Sequence, residues 1–131
     1  EDPLPFDLDA PVVEIADSDY ALWYRDMSEE PKKYSGKTVR FKGRCLRRKG
    51  VPNNSFIIGR HIMTCCEADI AFSALICNLD GQPAPENDEW VVLTAKMDYK
   101  FHRSYGRRGP VLTAVSIERA EPPAQQVATF Y

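Results

Sequence analysis

At 131 residues, 44% hydrophobic and 27% charged, the chain has the apolar content for one core and too little length for two ordinary domains. Its apolar runs fall well short of the roughly 20 residues that cross a bilayer, and four cysteines exclude a disulfide-dense scaffold. The net charge of −2 conceals a sorted distribution. Residues 1–35 carry ten acids and three bases, residues 36–66 eight bases and no acid, residues 67–99 seven acids and one base, and residues 100–110 four bases and no acid. The two basic segments read either as solvated strand faces or as parts of one positive surface. The start at Glu1-Asp2-Pro3 has no Met and no signal-peptide pattern, which predicts a piece cut from a longer protein.

Residues 1–17, with Pro3, Pro5 and Pro11, predict an extended arm with an edge strand at Val12–Ile15. Tyr20, Trp23, Tyr24 and Met27 then fall at i, i+3, i+4 and i+7, the face of a short amphipathic helix. Ser18 or Asp17 is expected to cap it and Pro31 to end it. The aromatic stripe fits packing against a sheet better than a ligand platform.

The first clear strand is Thr38–Arg47, where Val39, Phe41, Gly43 and Cys45 alternate with Arg40, Lys42 and Arg44, giving one buried and one basic face. Gly43 predicts a bulge or sharp bend. After a basic loop at 47–54, a second strand to about Thr64 is too apolar for clean alternation, and Glu67–Ala71 reads as a helical turn. A third strand spans Ser73–Leu79, with Leu75, Cys77 and Leu79 on one face. The fourth, Glu89–His102, places Val91, Leu93, Ala95, Met97, Tyr99 and Phe101 on a core face; the fifth, Val111–Glu118, turns Val111, Thr113, Val115 and Ile117 inward. The expected fold is therefore mainly β: a five-stranded OB-like barrel with one N-terminal amphipathic helix and a short helical turn after the second strand. It occupies residues 18–121, and 122–131 form an extended tail.

The segment from Gly59 to Asp69 concentrates soft and titratable groups. Cys65, Cys66, Asp69, His61 and Cys77 are candidate ligands, since thiolates with an imidazole suit zinc or copper(I). Adjacent cysteines differ from the spaced pairs of a zinc knuckle, and they converge on one ion only if the chain turns at Cys65. The competing reading is structural thiols, and Cys45 in particular reads as a small buried hydrophobe. No thiol-enzyme signature surrounds Cys65 and no phosphate loop is present, so the chain is expected to be non-enzymatic. A basic groove with aromatic stacking would suit single-stranded nucleic acid; Arg40, Lys42, Arg44, Arg60, Arg107 and Arg108 are its candidates. A purely structural interaction domain is the third reading.

The stretch Thr64-Cys65-Cys66-Glu67-Ala68-Asp69, preceded by Gly36–Gly43 and followed by Trp90-Val91-Val92, resembles the C-terminal soluble domain of the YcgQ-type family over Tyr20–Ile117. These are bacterial membrane proteins described as candidate permease subunits, usually encoded beside a larger membrane partner and in some genomes near zinc-homeostasis genes. The resemblance implies a soluble domain of a membrane-anchored bacterial protein, with a permease partner, a transport role without catalysis, and zinc as the metal to consider. Cys65, Cys66 and Asp69 lie in the shared motif; His61 and Cys77 lie outside it.

Overall fold

The computed structural model describes residues 3–131; the first two residues of the predicted arm lie outside it. Six strands form a mixed sheet with one α-helix, α1 (Tyr20–Glu29). The strands are β1 (Val13–Glu14), β2 (Thr38–Leu46), β3 (Ser55–Ile62), β4 (Ala71–Asn78), β5 (Trp90–His102) and β6 (Arg107–Arg119). They run in the order β1-β2-β3-β4-β6-β5, and β2 also pairs with β5, so five of them close a ring that β1 joins at its edge. The β1–β2 and β4–β6 pairs are parallel and the others antiparallel.

Closure depends on β2 serving two neighbours. It pairs with β5 over Thr38–Arg44 and with β3 over Arg44–Leu46, so the exchange falls on Arg44. Gly43 lies just before that exchange, and a Cβ there would come within 2.7 Å of Ile58. The predicted alternation of β2 holds along its whole length. The register irregularity lies elsewhere, on the β5–β6 ladder: Thr94 pairs with Ser116 but Ala95 pairs with Ala114, leaving Val115 as the extra residue of a bulge. A one-residue slip reverses which side chains face inward. Leu112 and Ala114 therefore enter the core, Val115 is 55% exposed, and the expected inward face of Thr113 and Val115 is corrected.

The helix packs Tyr20, Trp23 and Met27 into the ring, with the Trp23 and Phe41 ring centroids 4.7 Å apart. Fully burying one such side chain contributes roughly 2 kcal/mol. A 3₁₀ turn at Asp17–Asp19 feeds the helix without a side-chain cap, so neither Ser18 nor Asp17 plays the expected capping role. The helix lies where β4 and β6 diverge. These strands pair only through Ile76–Asn78 and Val111–Thr113, leaving the earlier part of β4 with no strand on that side. Tyrosines take over: Tyr20 Oη donates to Ser73 O at 2.7 Å and Tyr24 Oη to Ala74 O at 3.1 Å, while Tyr105 Oη accepts from Ile76 N at 2.9 Å.

β5 and β6 continue past the ring as a two-stranded ribbon. β2 stops pairing with β5 at Lys96, so the core face ends at Met97. Beyond it Tyr99 is half-buried and Phe101 is 62% exposed, which corrects their expected place in the core. The tail folds back, with Ala128 N donating to His61 O and Met63 N to Ala128 O.

Because Tyr20 is wholly buried, removing its hydroxyl leaves the Ser73 carbonyl without a donor. Tyr20→Phe is expected to cost about 1–2 kcal/mol, read as a lower urea midpoint at unchanged slope. An unaltered midpoint would show that the hydroxyl does not hold this seam.

Candidate functional site

The loop between β3 and β4 is built by Asp69. After Ile62 the chain leaves the sheet, and a 3₁₀ turn at Glu67–Asp69 brings the Asp69 carboxylate back under Thr64, Cys65 and Cys66. Asp69 Oδ1 accepts from Thr64 N at 2.7 Å; Oδ2 accepts from Cys65 N at 2.8 Å and from Cys66 N at 3.2 Å. The Thr64 amide, with help from those of Cys65 and Cys66, holds the carboxyl below the usual carboxylate range against an opposing desolvation. A carboxylate has about four lone-pair positions, and three are spent on the loop's own backbone. The aspartate is thus first a folding element of this loop.

Its consequence is the placement of two thiols. Cys65 and Cys66 are both exposed and free, and their sulfurs and a carboxylate oxygen of Asp69 all lie within 4.8 Å of one another. The turn at Cys65 makes this possible, since in a continuing strand neighbours would point to opposite faces. Among the described residues this is the one cluster of three or more such donors.

Other predicted ligands are not part of it. His61, on β3, packs its ring 5.1 Å from Phe72. Cys77 is buried on the inner face of β4, and desolvation pushes its thiol up to about 12. Cys45 is likewise in the core, raised by burial to about 12. The four cysteines therefore divide into two packed as small hydrophobes and two presented at the surface.

The predicted basic residues also divide. On β2, Arg40 pairs with Glu14, Lys42 with Asp17 at 3.8 Å, and Arg44 with Asp88 at 3.2 Å. Arg60 is only 2% exposed; Nη1 donates to Asp17 O at 2.7 Å and Nη2 to Gln125 O at 2.6 Å, with Tyr20 stacked 5.5 Å away. Arg107 and Arg108 are exposed on the β5–β6 ribbon, where Arg108 lies over the Tyr99 ring at 5.2 Å. Tyr105, which no sequence pattern singled out as structural, fixes this ribbon to β4 through its hydroxyl.

A mainly β domain with a ring of strands, one helix and a surface loop carrying two thiols is the class these observations define. The family model of the DUF1980 C-terminal domain matches residues 5–128, and the chain belongs to that family. Compared with curated proteins, the chain has no match. Among the described residues no helix is long and apolar enough to cross a membrane.

Two measurements check this geometry. In the folded, reduced protein a thiol reagent at neutral pH is expected to modify Cys65 and Cys66 rapidly and to reach Cys45 and Cys77 only in denaturant; four fast thiols would contradict the burial. The depressed Asp69 carboxyl sets the sign of the acid response. Its contribution to loop order is fully present above the ordinary carboxyl value of about 4 and is lost as pH falls through the lower folded value. The amide shifts of Thr64 and Cys65 should therefore move below that ordinary value, and Asp69→Ala should abolish the transition. Titration of these amides at the ordinary value would refute the three-bond account.

Proposed function

We propose that this chain is a non-enzymatic accessory domain of a membrane-associated transport system, built as an OB-like barrel, which handles a soft transition metal such as zinc on its Cys65–Cys66 loop. The observation that carries the reading is the convergence of two exposed sulfurs and one carboxylate oxygen within 4.8 Å, on a loop whose fold is set by Asp69. Thiolate sulfur with one oxygen suits zinc in its chemistry, and a tetrahedral ion would keep a position for a ligand from elsewhere. An open position is what delivery or exchange of a cargo ion needs, whereas a structural site is normally closed.

The barrel reading is supported by the order of the five ring strands, with a parallel β4–β6 pair among antiparallel neighbours and a helix packed at their divergence. The permease partner and membrane anchor are supported by the resemblance of Thr64–Asp69 to the YcgQ-type motif. Against catalysis by a thiol stands the absence, among the described residues, of an imidazole beside Cys65 or Cys66, since His61 is not in the donor cluster. Single-strand binding has weaker support, because three of its six candidate bases are paired with acids and a fourth is buried.

Zinc titration of the reduced chain by calorimetry tests the reading. Stoichiometric binding is expected, weakened by Cys66→Ser and by Asp69→Asn, and weaker at lower pH because the thiols must lose protons to ligate. No heat at micromolar zinc, with the two thiols still accessible to reagent, would sink it.

A further inference from the structure

The loop bases behave differently from the bases of β2. Arg40, Lys42 and Arg44 each have an acidic partner, but Arg48 and Lys49 in the 47–54 loop, and Arg103 and Arg107 around the β5–β6 turn, form no ion pair among the described residues. All four are exposed. No acid occurs within residues 47–57 or 99–110; Asp98 directly precedes the second stretch. Desolvation first, and then the charges of Lys100 and Arg103, hold His102 below its ordinary range.

Between these two basic segments lies a groove of about 400 Å³. Its floor is the outward side of β3 and β4, where Ile57, Ala74 and Ile76 stand in place of the polar residues usual on a solvated sheet face. Val51 and Tyr105 line its sides. The Tyr105 wall is fixed in advance, because its hydroxyl accepts from Ile76 N at 2.9 Å and donates to Pro110 O at 2.7 Å. The result is an aliphatic trough whose one basic rim is formed by Arg48 and Lys49, with Ser104 and Tyr105 on the opposite side.

We propose that this groove binds an extended acidic polypeptide segment bearing aliphatic side chains. A chain of alternating character fits both parts: its aliphatic groups reach Ile57 and Ile76 while its carboxylates meet Arg48 and Lys49. The charge complementarity selects an anionic partner, and the floor selects protein over nucleic acid. Single strands bind through stacking on aromatic faces, yet Tyr105 is the one aromatic side chain lining the trough. Phe101 shares its ribbon face with Arg108, whereas Tyr105 packs against Gly109 on the other face. The chain's net charge of −2 also opposes the approach of a long polyanion, while a short segment experiences mainly the local rim. The site is separate from the thiol loop and stands whether or not metal binds there.

The test is an NMR titration of the ¹⁵N-labelled chain with a ten-residue peptide in which Leu alternates with Glu or Asp. The same peptide with Gln and Asn for its acids, and a ten-nucleotide oligo-dT, serve as comparators. The acidic peptide should shift the amides of the 47–54 loop, Ile57, Ala74 and Tyr105 and leave the Thr64–Asp69 loop unmoved. Removing the peptide's charge, or introducing Arg48→Glu with Lys49→Glu, should weaken binding by about tenfold or more. Arg40→Glu on β2 should leave binding unchanged. Three results overturn the proposal: oligo-dT shifting these amides while the peptide does not; the same amides moving on dilution of the protein alone, which marks a second copy in the groove; or no shift with either probe at millimolar concentration.

Discussion

A strand that loses its neighbour must find other partners for its backbone, and this necessity shapes the whole domain at β4. Along its first half β4 is paired with β3 on one side and open on the other, because β6 joins it only from Ile76 onward. Unpaired N–H and C=O groups at a covered position cost as much as lost hydrogen bonds. Here they meet phenol hydroxyls from α1 and from the β5–β6 turn. The aromatic stripe of α1 therefore does two jobs: ring faces fill the core beside Phe41, and hydroxyls finish a sheet edge. Burial raises the Tyr20 hydroxyl well above its ordinary range, which keeps it protonated and a donor.

The surface follows from the same sharing of partners. Acids from the arm and from the 79–89 loop are spent on β2, so the most regular basic stripe in the sequence is electrically quiet in the fold. Arg48 and Lys49 on the 47–54 loop, which no alternation pattern displays, are among the bases that form no ion pair within the described residues. Likewise Asp69 uses most of its acceptor capacity in shaping the turn that exposes its neighbouring thiols. In both cases the residue with the more conspicuous charge supports the structure, and less conspicuous neighbours are left available.

Much of this was legible wherever two faces of an element differ in polarity. The helix, β2 and the inner face of β4 could be read from spacing alone, because burial there follows a single period. The phase of β6 could not, since the bulge at Val115 inserts one residue that a period-two count carries straight through. The exposed end of β5 was hidden for a related reason: Phe101 keeps the inward phase, but the ring has already ended. Arg60 read as a surface base because nothing local reveals that its acceptors come from Asp17 and Gln125. The Cys65–Cys66 pair was readable as unusual, and its convergence depended on a turn that Asp69 creates.

Arg60 also joins parts of the chain that composition would set apart. Its guanidinium sits beneath the lead-in to α1 and the returning tail, bonded to a carbonyl of each, and the tail is further tied through Ala128 to the strand that carries the arginine. Burial alone pulls the arginine toward its neutral form, so those two carbonyls hold a cation where it would otherwise be poorly tolerated. The last residues thus behave as the lid on a charge. A fragment trimmed before Gln125 would be left with an arginine short of an acceptor inside the ring, and both ends of the domain would loosen together.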